Sequence, residues 1–242
     1  MSGHNKWSKI KRVKGAVDAK RGKLFTKLLR EIEVATRLAG SDPRSNPRLR
    51  DAMAEARANN MPRDNIERAI KRGTGEMEGV TYEQVLYEGY GPGGAALLIE
   101  CLTDNRNRTV ADLRALLVRN NASLAEAGSV AWLFSKKGFI DILKTELHEN
   151  KLMELAIDAG AEDFNDSEDT CGVLTQPDML ETVKSVLENR GISLQSTGHT
   201  LIPTNTIELK GETAEKMLKL IELLEEMDDV QKVHSNCDIN DC

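Results

Sequence analysis

Apolar residues first fall into helical step at Leu24. Leu24, Leu28, Ile32, Ala35 and Leu38 recur every three or four positions and predict one amphipathic helix. Gly40 and Asp42-Pro43 predict its end. Asn46 followed by Pro47 predicts the cap and first turn of a second helix, with Leu49, Ala52, Met53 and Ala56 on its apolar face. Pro62 opens a third, with Ile66, Ala69 and Ile70 inward and Gly73 as its stop. Three short helices with short connections predict a small bundle.

The period then changes. Residues 85–89 and 95–102 read as strands around Gly91-Pro92-Gly93-Gly94. A helix is predicted over 110–120 and a strand over 129–134. From residue 137 the pattern is strand (139–143), helix (147–159), short strands (163–164 and 171–175), helix (179–189) and a last strand ending by 201. That order is the ferredoxin-like split β-α-β-β-α-β unit. A strand at 206–210, a helix at 212–227 and a strand at 230–234 complete a second β/α unit with residues 80–134. The expected class is therefore α+β: an N-terminal three-helix domain followed by two ferredoxin-like α/β domains, one inserted in the other. The expected boundaries are 1–79 for the basic arm and helical domain, 80–133 plus 204–242 for the outer α/β domain, and 134–203 for the inserted one.

Composition changes this picture only through charge. The 242 residues are 40% hydrophobic, 30% charged and only 4% aromatic, so aliphatic side chains must fill the cores. The formal net charge is −6, which by itself argues against a polyanion partner. The average hides a split: residues 1–72 carry 19 Lys+Arg against 8 Asp+Glu, a net of +11, whereas residues 73–242 carry 14 against 31, a net of −17. Asymmetry of that size points to a polyanion for one end of the chain. The four cysteines form no CxxC pair and the four histidines are scattered, so free thiols in a reducing, cytoplasmic setting are expected, with no metal site and no cofactor. No run approaches the 18 or so apolar residues of a membrane span, and the basic N-terminus lacks the apolar segment of a secretory signal. Its Lys/Arg-rich, acid-poor make-up has some likeness to a transit peptide or a bipartite nuclear signal.

The first thirty positions hold ten basic residues and one acid, Asp18. Phosphate backbones call for cations at this density, because each neutralised phosphate releases condensed counterion. Lys6, Lys9, Lys11, Arg12, Lys14, Lys20, Arg21, Lys23 and Lys27 are the candidate phosphate contacts, and Trp7 is a candidate stacking ring. A second positive feature is Asp104-Asn-Arg-Asn-Arg-Thr109, between a strand and a helix. Thr109 or Asn107 is the expected cap, and Arg106 and Arg108 would flank its free N–H groups. An anion site and a plain capped turn both fit. Gly89-Tyr-Gly-Pro-Gly-Gly94 matches G-x-G-x-x-G, but a strand follows where a dinucleotide site needs a helix, so a hairpin is expected. The acids Asp163, Asp166, Glu168 and Asp169 lack the spacing of a calcium loop. No nucleophile motif appears, so neither an enzyme nor a small-molecule substrate is expected.

The opening Met1 to Lys11, Asp18-Ala-Lys-Arg-Gly-Lys23 and Phe25-Thr-Lys-Leu28 resemble the start of the YebC/PmpR family. Asn59-Asn-Met-Pro-Arg-Asp-Asn-Ile-Glu-Arg-Ala-Ile-Lys-Arg-Gly73, Tyr87-Glu-Gly-Tyr-Gly-Pro-Gly-Gly94 and Leu102-Thr-Asp-Asn-Arg-Asn-Arg-Thr109 resemble further signatures of it. The resemblance implies three domains and a non-enzymatic role in gene expression. The family is usually labelled as probable DNA-binding transcriptional regulators. It also includes mitochondrial translational activators and bacterial proteins linked to ribosomes stalled on proline-rich stretches. The positives lie along an arm and not on one recognition helix, which inclines the expectation toward ribosomal RNA and the large ribosomal subunit, with DNA as the alternative.

Overall fold

The computed structural model describes residues 19–143, 149–166 and 170–239. The described residues form two compact units: residues 133–206 make one, and residues 19–132 with 207–239 make the other.

The larger unit begins with α1 (Ala19–Ala39), α2 (Pro47–Ala58) and α3 (Arg63–Thr74). Leu28, Ile32 and Ala35 of α1 meet Leu49, Ala52, Met53 and Ala56 of α2 and Ile66 and Ala69 of α3 in one core. Leu38 leaves that stripe and is 69% exposed. At 3.6 residues per turn it points about 80° away from Leu28. Asn46 caps α2, its Oδ1 accepting from the Leu49 N–H at 3.1 Å, while its Nδ2 donates to the Ala35 and Gly40 carbonyls at 2.8 Å each. One buried amide thus closes the end of α1 and opens α2. The expected stop at Gly73 is corrected. Gly73 lies inside α3, where a Cβ would come within 2.6 Å of Thr36 Cβ, and Gly75 at φ +83° ends the helix. Close helix packing, not chain reversal, sets the glycine at 73.

The same unit continues into β1 (Glu83–Tyr90), β2 (Ala96–Thr103), α4 (Arg106–Arg119) and β3 (Ser123–Leu124). After the insertion it resumes with β8 (Ile207–Leu209), α7 (Gly211–Glu225), β9 (Val230–Ser235) and β10 (Cys237–Ile239). Its main sheet runs β3-β1-β2-β9, antiparallel throughout, and β8 pairs with β10 in parallel. Leu97, Ile99 and Cys101 face Leu113 and Leu117 of α4 and Met217, Leu220 and Leu224 of α7. Both helices therefore cover one face of the sheet. Gly89–Gly94 is the expected hairpin, entered by strand and left by strand. The predicted strand over 129–134 does not start until Phe134. The Glu88 carboxylate captures the N–H groups of Gly128, Val130 and Ala131, and the chain curls into a single helical turn, Ala131–Leu133.

The smaller unit is β4 (Phe134–Leu143), α5 (Glu149–Asp158), β5 (Asp163–Asp166), β6 (Thr170–Thr175), α6 (Leu180–Asn189) and β7 (Leu194–Pro203). Its strand order, β5-β6-β4-β7, with antiparallel pairing throughout, is that of the split β-α-β-β-α-β unit. Ile140, Ile142, Cys171 and Val173 pack under Leu152, Ala156, Val183 and Leu187 of the two helices. The outer sheet has equal strand number but a different order, because its centre is the sequence-local β1–β2 hairpin.

Candidate nucleic-acid interface

Of the expected contacts, Lys6, Trp7, Lys9, Lys11, Arg12 and Lys14 lie outside the described residues. Lys20 and Arg21 fall in the first turn of α1. The others are described, and most are engaged within the protein.

Helix α7 ends with four carbonyls that its own turns cannot satisfy, and its last turn has no basic residue. Helix α1 supplies the missing cations. Lys23 Nζ donates to the Glu226 carbonyl at 3.0 Å and Lys27 Nζ to that of Glu225 at 2.5 Å. Arg30 donates to the Asp228 carbonyl at 2.7 Å and to Asp229 Oδ1 at 2.8 Å, and lies 5.1 Å from the Tyr82 ring centre. Burial pulls the Lys27 ammonium below its ordinary pKa, against the opposing pull of Glu225 and Asp228.

Asp229 is the junction between this helix and the α/β layers. Its Oδ2 accepts from Arg108 at 2.9 Å and from the Thr109 hydroxyl at 2.7 Å, and Arg108 also reaches Asp104 at 2.7 Å. Burial raises the Asp229 carboxyl, and the hydrogen bonds from Arg108, Thr109 and Arg30 together outweigh it, leaving the group below the usual carboxylate range. Arg108 is correspondingly held above its ordinary value by Asp229 and Asp104. The cap of α4 is Asn105, whose side chain accepts the Arg108 N–H at 3.0 Å, and not Thr109 or Asn107. Thr109 is buried one turn further in, and its hydroxyl serves Asp229. Of the two readings of this turn, the capped turn with its arginine paired to local acids describes Arg108. Arg106 is exposed beside the Tyr87 phenol, whose hydroxyl donates to the Arg106 carbonyl at 3.4 Å.

A cleft of about 800 Å³ opens along this junction. Arg30, Arg108 and Arg119 line it together with Asp104, Asp112 and Asp228. Its mixed signs do not make a polyphosphate pocket. Arg57 and Lys71 are exposed on α2 and α3, and neither has an ion-pair partner among the described residues. Among the described residues no group of three His, Cys, Asp or Glu side chains could hold a metal ion, and no helix is long and apolar enough to cross a membrane.

Nothing in the local pattern singles out Trp132, which the structure leaves 69% exposed. By register, Glu88 faces away from α4 and α7: it pairs with Leu98, whose neighbours Leu97 and Ile99 point into the helix-covered core. The Glu88 carboxylate accepts from Gly128 and Val130 at 2.6 Å and from Ala131 at 2.9 Å. The Trp132 indole N–H donates to the Ser129 carbonyl at 3.0 Å. A buried carboxylate thus fixes the loop that presents an exposed ring. The sequence signal is weak: Glu88 is one of two glutamates in β1, and nothing local says which backbone it holds.

Two family models match the chain: "TACO1/YebC protein N-terminal domain" over residues 5–76 and "TACO1/YebC second and third domain" over residues 82–237. A protein of Geobacter sulfurreducens named "probable transcriptional regulatory protein" is 54% identical over 240 residues, covering 99% of this chain and 97% of that one. A protein of Chlorobaculum tepidum with the same descriptive name is 55% identical over 242 residues, covering 100% and 96%. The crystal structure of a conserved hypothetical protein from Aquifex aeolicus superposes with a TM-score of 0.88 at 47% identity, covering 97% of each chain.

Proposed function

Because the chain belongs to the TACO1/YebC family, we propose that it is a non-enzymatic regulator of gene expression that binds nucleic acid through the basic arm preceding α1 and the first turn of that helix. The observation that carries this reading is the charge split, +11 over residues 1–72 against −17 over the remainder. With Lys23, Lys27 and Arg108 engaged inside the protein, this reading assigns the phosphate contacts to Lys6, Lys9, Lys11, Arg12, Lys14, Lys20 and Arg21, with Arg106 as an outlying member. Trp7 supplies a stacking ring within the same stretch.

In the finer reading the protein acts in the cytoplasm as a ribosome-associated translation factor, and its polyanion is ribosomal RNA. A basic arm suits structured RNA, and an acidic remainder suits the company of basic ribosomal proteins. The names of the relatives favour a second reading, a transcriptional regulator on duplex DNA. Sedimentation with purified large ribosomal subunits separates the two. The full chain is expected to travel with the subunit and a chain lacking residues 1–18 to stay behind. Equal sedimentation of both forms would end the arm-to-ribosome reading. A strong preference for particular duplexes over scrambled ones would install the DNA reading instead.

A further inference from the structure

Trp132 poses a physical question. Its loop is held by three backbone N–H bonds to the buried Glu88 carboxylate, yet most of its ring faces solvent. Among the described aromatic residues only Trp132 and Tyr90, at 69% and 40%, are exposed by more than a third. Tyr82 lies against Arg30, and Tyr87 packs against the sheet core. In a chain with 4% aromatic content, a ring kept out of the core needs a separate reason.

Both exposed rings belong to one side of the outer sheet. Tyr90 lies two residues from Glu88 in β1, so the two share the face opposite α4 and α7. The loop ending at Trp132 is pinned to that face by the Glu88 carboxylate. Three charge-assisted bonds to backbone N–H groups restrict the loop before any partner arrives, which lowers the entropy cost of using its ring. Residues 120–132 include Glu126 but no lysine or arginine, so the segment offers nothing to a phosphate. A flat π surface is what it does offer.

We propose that Trp132 is a stacking platform for an unpaired nucleobase, with Tyr90 on the same side of the sheet as a second surface. The inference rests on the nucleic-acid reading above and deepens it. The arm supplies electrostatic, salt-dependent binding, and Trp132 supplies a base contact that releases no counterion. It also gives the protein a preference for single-stranded over fully paired nucleic acid, because a paired base has no free face.

The test uses the full chain with Trp7→Phe, which leaves Trp132 as its sole tryptophan. Titration with a mixed-sequence single-stranded RNA is expected to quench Trp132 emission, and the same strand with abasic nucleotides is expected to leave it unchanged. In the otherwise native chain, Trp132→Ala is expected to weaken binding of the base-bearing strand about 5- to 150-fold, the effect of one lost stack. The abasic strand should bind Trp132→Ala and the native chain alike, and the slope of log K against log salt should not move. Trp132→Phe should recover most of the affinity. Three results would overturn the proposal: unweakened binding of the RNA by Trp132→Ala, equal weakening on the abasic strand, or a changed salt slope. The first with arm-dependent binding intact would leave the parent reading standing. Absence of any nucleic-acid binding by the native chain would remove both.

Discussion

The cations of α1 and the arginine of the α4 turn are both positive in sequence and both engaged in the structure, but on different partners. Lys23 and Lys27 end on peptide carbonyls at the foot of α7. Arg108 ends on two carboxylates, Asp104 and Asp229. A carbonyl takes up an ammonium's hydrogen bonds without cancelling its charge, whereas a pair of carboxylates cancels a guanidinium outright. Arg30 does both, on the Asp228 carbonyl and on Asp229. Charge density along a chain therefore overstates the charge available to a ligand, by an amount that depends on what lies opposite in the fold.

Breaking the carboxylate half of this comparison has the largest expected effect. Asp229→Ala removes the common acceptor of Arg30, Arg108, Thr109 and Thr103 and leaves the largely buried Arg30 with carbonyl acceptors and no carboxylate. A loss of about 3–5 kcal/mol is expected, as for other buried ion pairs with one partner deleted. Urea unfolding monitored by circular dichroism would read it as a lower midpoint at constant slope. A loss near zero would mean that the junction tolerates Arg30 with carbonyl acceptors alone and Arg108 with Asp104 alone, and a carboxylate partner would then count for no more than a carbonyl.

A smaller effect is expected at Glu88, which reverses the arrangement, with a carboxylate held by backbone donors. Burial raises its carboxyl, and the N–H groups of Val130, Gly128 and Ala131 outweigh that and hold it below the ordinary range. A depressed folded-state value means that the stabilisation is present above the unfolded value and is lost as pH falls through the folded one. Acid unfolding below about pH 4 should therefore draw on both Glu88 and Asp229. Glu88→Gln is expected to cost about 2–3 kcal/mol at neutral pH, because an amide brings two N–H donors toward existing donors. It should also make the acid limb shallower than in the native chain. An unchanged acid limb would show that the loop does not depend on the carboxylate's charge.

How much of this was legible in the chain follows from the range over which each signal acts. The three helices, the hairpin at Gly91–Gly94 and the split β-α-β-β-α-β order came from patterns a few residues long, and those patterns decide local structure. Gly73 was misread as a stop because its cause, Thr36 on α1, is 37 positions away. The cap at α4 shifted to Asn105 because Thr109 was drawn inward by Asp229, which is 120 positions away. The turn at Ala131–Leu133 hid for the same reason, since only the fold brings Glu88 to Gly128 and Val130. The candidate site was legible as charge but not as availability: nothing near Lys27 in sequence announces the end of α7. Trp132 was invisible as a site because exposure is a property of the fold, and its local pattern reads as strand.

The smallest expected effect bears on the carbonyl half of the comparison. Lys27 is drawn out of water to meet the Glu225 carbonyl, so its hydrogen bond and its desolvation largely offset each other. Lys27→Met keeps the buried stem and is expected to change stability by less than about 1 kcal/mol at neutral pH. Its signature should appear in alkali. A lysine with a lowered folded-state value loses its proton in the folded chain first. The native protein therefore gains stability as pH rises from that value toward the ordinary lysine value of about 10.4, and Lys27→Met should lack the gain. The same variant should leave the salt dependence of nucleic-acid binding unchanged, whereas replacing Lys9, Lys11, Arg12 and Lys14 by neutral residues should flatten it by about one unit per lost contact. A fall of about one unit in Lys27→Met alone would mean that its ammonium leaves Glu225 for a phosphate when nucleic acid binds. The clasp on α7 would then be a resting contact, and α1 would rejoin the arm as part of the binding surface.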